Sequence, residues 1–293
     1  MHTWHWHTWQ GASYLTCSLL KDWAHGFLTQ QFWSRPPEAL VDMLRPTAQV
    51  YRVKQVHGDR VLNASALEPM SRLSSPREKA PESPTQNSTA SADPVLSEAD
   101  GLFTTDTNQA IWVCTADCTP VLIGDIATGQ VAAVHAGWRG TAAAIVPKAI
   151  EQLQAQGSQI QDLRIAMGPA IAGEVYQVST TVAAQVGATI LPDTGQPDPV
   201  NPQATLADTE EILAQLRQLP NSPILDDPQP GRARLDVRRV NAMQLEQLGI
   251  EPDQVAIAPY CTYQNPELFF SYRRQPQKKV QWSGIVSGGS DDV

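Results

Sequence analysis

Cysteine is scarce in this 293-residue chain, with four in all. Cys17, Cys114, Cys118 and Cys261 are scattered, which excludes the dense disulfide framework of a small secreted domain. No apolar run approaches the ~18 residues that would span a bilayer as a helix. The opening stretch MHTWHWHTWQ lacks a basic start followed by an apolar core, so no secretory signal is expected. Basic residues are also short, 21 against 30 acidic for a formal net charge of -9. A nucleic-acid partner demands the opposite balance, with clustered Lys and Arg. The acidic residues form no block, and no internal repeat is visible. These absences point to a cytoplasmic protein with neither a membrane nor a nucleic-acid partner. The oligomeric state is not legible in the sequence.

What is present is an ordinary globular composition, 42% hydrophobic, in a chain long enough for one large core. Residues 1–293 read as a single domain. Short apolar runs at Ala110–Cys114, Pro120–Asp125, Val131–Val134, Leu163–Met167 and Gln254–Pro259 read as buried strands. Gln49–Val61 reads as a strand running into a turn at His57-Gly58. Helical patterns cover Glu38–Leu44, Val178–Val186, Thr205–Leu219 and Asp236–Leu248. A further helix is expected in TAAAIVPKAIEQLQAQG, where Pro147 should either kink it or mark a late start. Alternating strands and helices with irregular spacing predict the α/β class, with a mixed sheet core and flanking helices. Residues 65–97 break the pattern. They are rich in Ser, Pro and charge, with almost nothing to bury, and are expected to form a disordered insertion.

Polar residues at the ends of buried strands are the natural site candidates, because rigid elements place them. His57, Cys118 and His135 hold such positions, each beside small or turn-forming residues. Singly, each reads more readily as a satisfied structural residue. Together, two imidazoles and a thiol make a sensible zinc set, and three protein ligands leave a fourth position open. Arg139 lies in GWRGT, between a strand and a helix. Exposed turn amides and a guanidinium fork suit an anion there; packing of Arg139 on Trp138 is the structural alternative. Asp117, Asp100 and Glu174 are candidates for proton transfer. The histidines of the opening stretch, His2, His5 and His7, could suggest a second metal site. The alternation of His5 and His7 with Trp4 and Trp6 instead favours an edge strand.

KQVHGDRV, EADGLFT, CTADCTPVLIGD, VAAVHAGWRG, MGPAI, LDVRRVNAMQLEQLGI and CTYQNPELFFSYRR follow one another over residues 54–274. In that order they resemble the YfiH/laccase-domain family, known as multicopper polyphenol oxidases and as purine nucleoside phosphorylases. The resemblance implies a YfiH-like fold, related to the cytotoxic-necrotizing-factor type. It places the zinc ligands on His57, Cys118 and His135. It implies phosphorolysis of adenosine, inosine and S-methyl-5′-thioadenosine to free base and (thio)ribose 1-phosphate, with adenosine deaminase activity alongside. The partners would be purine nucleosides and phosphate. In this reading Cys118, His135 and Asp117 form the catalytic set, and Arg139, Gly137, Gly140 and Arg274 hold substrate or phosphate.

Three positions depart from the family pattern. GPAIAGEVYQV carries no cysteines, Gln30 closes HGFLTQ where arginine is common, and Asn241-Ala242 stands for the usual Asn-Arg pair. They bear on substrate preference and rate rather than on the metal set. Copper is the alternative metal, implied by the laccase label. Copper oxidases need several copper centres, and six histidines, three of them within the first seven residues, supply these poorly. Two further alternatives are a Cys–His amide hydrolase, as in peptidoglycan editing, and an interaction protein that uses the Ser/Pro-rich insertion.

Overall fold

The computed structural model describes residues 2–71, 96–192 and 206–288. Along the chain, β1 (Trp4–Trp9), β2 (Ala12–Cys17) and β3 (His25–Leu28) precede α1 (Pro37–Leu44). Next come β4 (Gln49–Arg52), β5 (Val61–Asn63), β6 (Gly101–Thr104), β7 (Gln109–Thr115), β8 (Thr119–Asp125) and β9 (Val131–Ala136). Helices α2 (Trp138–Ala142) and α3 (Ile145–Ala155) lead to β10 (Leu163–Met167), β11 (Gln177–Ser179), α4 (Thr180–Gly187) and α5 (Leu206–Gln218). The chain closes through β12 (Ile224–Asp226), β13 (Arg232–Leu235), α6 (Val237–Gln247), β14 (Val255–Ile257) and β15 (Gln281–Val286).

Two six-stranded sheets carry the molecule, in the orders β1-β2-β3-β15-β7-β4 and β14-β10-β8-β9-β6-β5; a small third sheet runs β11-β13-β12. Both large sheets are mixed. β4 runs parallel to β7, and β5 parallel to β6, while β7–β15 and β8–β9 are antiparallel. The expected α/β class with a mixed sheet core and flanking helices is what forms. The central strands read as continuous apolar runs because both of their faces are covered. Leu15, Phe27, Ile111 and Ile285 of the first sheet meet Leu102, Leu122, Ala133 and Ala166 of the second in one core. The other face of the second sheet is closed by α3 and α6, through Ile145, Ile150, Leu153 and Leu245. Helix α1 covers the outside of the first sheet through Leu40 and Val41.

Pro147 marks a late helix start. Helix α2 ends at Ala142, Ala144 takes a left-handed φ of 55°, and α3 begins at Ile145. Pro147 thus sits in the first turn of α3, where its missing N–H has no helical partner to lose.

Two expectations need correction. His57 lies in the turn expected at His57-Gly58, at φ 60°, but it does not end a strand, because β4 stops at Arg52. The insertion does not begin at 65. Ala64–Ala66 forms a 3-10 turn in which the Asn63 side chain accepts from Ser65 N, and Met70 N donates to Val50 O at 2.8 Å. Ser97 O accepts from Lys54 N at 3.0 Å, which pins the far end. The expected disorder of 72–95 falls outside the described residues. Among the described residues, no helix is long and apolar enough to cross a membrane.

Candidate metal centre

One buried carboxylate organises the site. Asp100 immediately precedes β6 and is fully buried. Its Oδ1 accepts from His57 N at 2.9 Å and pairs with His135 Nδ1 at 2.8 Å. Its Oδ2 accepts from Gly58 N at 2.6 Å and Val56 N at 3.2 Å. The backbone of residues 56–58 therefore bonds to a side chain instead of a sheet ladder, and this is why the chain leaves strand geometry before His57. Asp100 O also accepts from His135 N at 2.7 Å. Burial works to raise the Asp100 pKa, but the bonds from His135 and the 56–58 amides outweigh it and hold the carboxyl below its ordinary value.

With Nδ1 of His135 committed to Asp100, its Nε2 remains for a ligand. The His57 and His135 rings meet edge to face, 4.8 Å between centroids. Cys118 comes from the loop between β7 and β8. One donor atom from each of His57, Cys118 and His135 lies within 4.8 Å of the others. Burial opposes the Cys118 thiolate, yet the two imidazoles overcome it and pull the thiol down to about 6. Burial likewise opposes the His135 charge, but Cys118 and Asp100 push the imidazole up to about 9. Two ring nitrogens and an easily ionised sulfur are a donor set that suits zinc, and the oriented second nitrogen of His135 is the usual companion of such ligation. The residues present fit that group.

The loops that carry these ligands are fixed locally. Gln55 clamps the Cys114 main chain, accepting from its N at 2.7 Å and donating to its O at 2.8 Å. Asp117 adopts φ 93°, and both of its carboxylate oxygens are engaged: Oδ1 by Thr262 Oγ1 and Oδ2 by Arg273 N, each at 2.7 Å. A side chain at Gly137 would put its Cβ 3.0 Å from Cys118 Sγ, and one at Gly140 would put it 2.9 Å from Gly58 O. Both glycines of GWRG are thus steric requirements of the ligand cluster.

A small cleft opens beside the cluster, lined by Asp117, Cys118, Gly137, Trp138, Ile171 and Tyr176 among others. Arg139 is exposed at its rim, with its guanidinium 4.2 Å over the Trp138 ring. Helix α2 spans only 5 residues, so its dipole adds little for an anion. Arg274 does not face the cleft. Its guanidinium donates to Thr262 O, Tyr263 O and Phe269 O, tying the C-terminal loop together. Its neighbour Arg273 lies 4.8 Å over the ring of Tyr176, which lines the cleft. Glu174 is exposed and does not line the cleft.

Residues 37–286 match the family described as "Multi-copper polyphenol oxidoreductase laccase". The chain belongs to that family. A relative from Synechocystis sp. named purine nucleoside phosphorylase is 46% identical over 284 residues, covering 97% of each chain. A more distant relative from an unknown prokaryotic organism, named adenosine deaminase RL5, is 27% identical over 61% of this chain and 58% of its own. The YlmD crystal structure from Geobacillus stearothermophilus has a TM-score of 0.70 and 22% identity, covering 96% of this chain and 98% of the other. At that identity the last comparison speaks to fold alone.

In this laccase-domain chain the histidine-rich N-terminus lies apart from the ligand cluster. Among the described strands, β1 is an edge strand paired only with β2. His5 Nε2 bonds Thr3 Oγ1 at 2.9 Å, while His7 Nε2 bonds Thr16 Oγ1 at 2.9 Å and stacks on Tyr14. Among the described residues, His57, Cys118 and His135 are the one group of three that could hold a metal. A second cleft, lined by His5, His7, Tyr14, Lys21 and Arg45, shares no residue with the ligand cluster. Cys114 contrasts with Cys118: burial pushes its thiol up to about 12. Sequence reasoning missed Gln55, Tyr176 and Arg273. The nearest signals were QVHG, with Gln two residues before the ligand, and the doubled arginine of SYRR.

Proposed function

We propose that the protein is a zinc-dependent purine nucleoside enzyme. It cleaves adenosine, inosine and S-methyl-5′-thioadenosine with phosphate, releasing free base and (thio)ribose 1-phosphate, and deaminates adenosine alongside. The observation that carries the reading is the convergence of His57, Cys118 and His135 beside a cleft flanked by Arg139 and Arg273. The Synechocystis relative's name supports the choice of chemistry.

In phosphorolysis a phosphate oxygen bonds to ribose C1′ and the bond from C1′ to the base breaks. The base leaves with the electron pair and takes up a proton. Arg139 and Arg273 supply positive charge for the phosphate. Asp117 lines the cleft, but both its oxygens accept, so it serves as a positioning residue that holds Arg273 against the Cys118 loop. Asp100 keeps the His135 ring oriented and its Nδ1 occupied. Zinc, held by His57, Cys118 and His135, supplies Lewis-acid polarisation when bound. Deamination replaces the C6 amino group of adenine with oxygen from water and releases ammonia.

A second reading has its own support. Cys118, His135 and Asp100 are arranged as nucleophile, base and orienting carboxylate, which is the logic of a cysteine hydrolase. Metal on Cys118 removes its free thiolate, so the two readings compete for one sulfur. The deciding experiment incubates the zinc-loaded protein with adenosine, with and without phosphate, and identifies the products. Adenine formed only with phosphate supports phosphorolysis, and inosine supports deamination. Formation of neither adenine nor inosine would overturn the nucleoside reading.

A further inference from the structure

Tyr176 is the aromatic side chain that shares the cleft with Trp138, on the side of the third sheet. Its position is set from outside the catalytic elements. Tyr176 N donates to Gly173 O at 3.2 Å, and its carbonyl accepts from Leu235 N of β13 at 3.1 Å. Arg273 lies over the ring and is itself tethered, donating to Gln177 O at 2.7 Å. The ring is therefore held by the backbone on one side and by a cation on its face. Among the described residues its hydroxyl carries no hydrogen bond, although the ring is largely enclosed and the residue lines the cleft beside Cys118 and Asp117. A hydroxyl with no bond among the described residues, on a ring that lines the cleft, is available to bond what enters it.

The charges around that hydroxyl define the visitor. Burial and the negative groups Cys118 and Asp117 push the phenol up to about 12, while Arg273 and Arg139 work against them. The phenol thus stays protonated and can donate. Trp138 and Tyr176 line the cleft with Cys118, and with Arg139 over one ring and Arg273 over the other they make a wall rich in donors. A wall of this kind suits a tetrahedral oxyanion better than a neutral base.

We infer that the Tyr176 hydroxyl is a third donor to the attacking phosphate, beside Arg139 and Arg273; the inference rests on the phosphorolytic reading above. Tyr176 is accordingly a residue that discriminates phosphate from water as the acceptor of the ribosyl group.

Tyr176→Phe tests this, because it keeps the ring under Arg273 and deletes only the hydroxyl. With the zinc-loaded protein, adenine release is measured while phosphate and adenosine are varied separately. The KM for phosphate should rise roughly tenfold, as expected for losing one bond to a charged group. The KM for adenosine should move less than about twofold, and the zinc content should match the wild type. An unchanged phosphate KM overturns the inference, as does an equal rise in both constants, which would mark a merely structural role. Direct titration of wild type and Tyr176→Phe with inorganic phosphate separates the two levels of the argument. If the wild type releases no adenine but binds phosphate more tightly than the variant, the phosphorolytic reading fails and the anion site stands. If the two bind phosphate equally, the site itself is wrong.

Discussion

His5 and His7 lie two residues apart on one face of β1, while His57, Cys118 and His135 come from segments far apart in sequence. Yet among the described residues it is the dispersed set that forms a group of three with donor atoms within 4.8 Å of one another. The difference lies in what holds each ring. His5 and His7 are each bonded to a threonine on an exposed edge, and nothing turns their free nitrogens toward a common point. At the other site a single buried carboxylate bonds the His135 ring and the backbone that carries His57. Gly137 leaves space against the sulfur that any Cβ would fill. Convergence is a property of the supporting shell, and closeness along the chain does not supply it.

The sharpest way to break this contrast is to remove the sulfur. Cys118→Ala should lower phosphate-dependent adenosine cleavage by at least about a thousandfold, as expected when a catalytic group is lost. Steady-state rates on purified protein check this. Activity within tenfold of wild type would show that the cluster is not the reaction centre.

The next effect tests the carboxylate hub. Asp100→Asn should weaken zinc binding about 10- to 100-fold, the usual cost of losing a partner behind a ligating histidine. Competition with a chelator of known affinity measures it. Unchanged affinity would mean that the glycine-lined loops alone orient His135.

Proton release gives a smaller but more specific signal. Cys118 is pulled down to about 6 and His135 pushed up to about 9, so between these values the sulfur is ionised and the imidazole charged. A metal needs both groups deprotonated. Zinc binding at pH 7.5 should therefore expel about one proton, from His135. Affinity should rise with pH until His135 loses its proton near 9, and should fall more steeply below about 6, where Cys118 is protonated as well. Calorimetry in buffers with different ionisation heats reads the number, and no release at pH 7.5 would contradict the charge state argued here.

Much of the scaffold was legible because burial leaves a plain trace. VAAVHA and TPVLIGD are apolar on both faces, and the strands form where those runs lie. The donor set was legible too, as two imidazoles and a thiol at the margins of such runs. What escaped was anything set by tertiary bonding. The turn at His57-Gly58 was legible, but its tie to Asp100, 43 residues along the chain, was not. The choice of Arg273 over Arg274 depends on which guanidinium the loop carbonyls consume, and adjacent identical residues carry no mark of that. The start of the insertion was misplaced because the bond from Met70 N to Val50 O needs no apolar pattern.

The most direct test compares the two histidine regions on one scale. Zinc per chain is measured by elemental analysis for the wild type, Cys118→Ala and the double variant His5→Ala/His7→Ala. The account predicts about one zinc in the wild type, almost none in Cys118→Ala, and the wild-type amount in the double variant. Zinc retained by Cys118→Ala, or lost with His5 and His7, would contradict it.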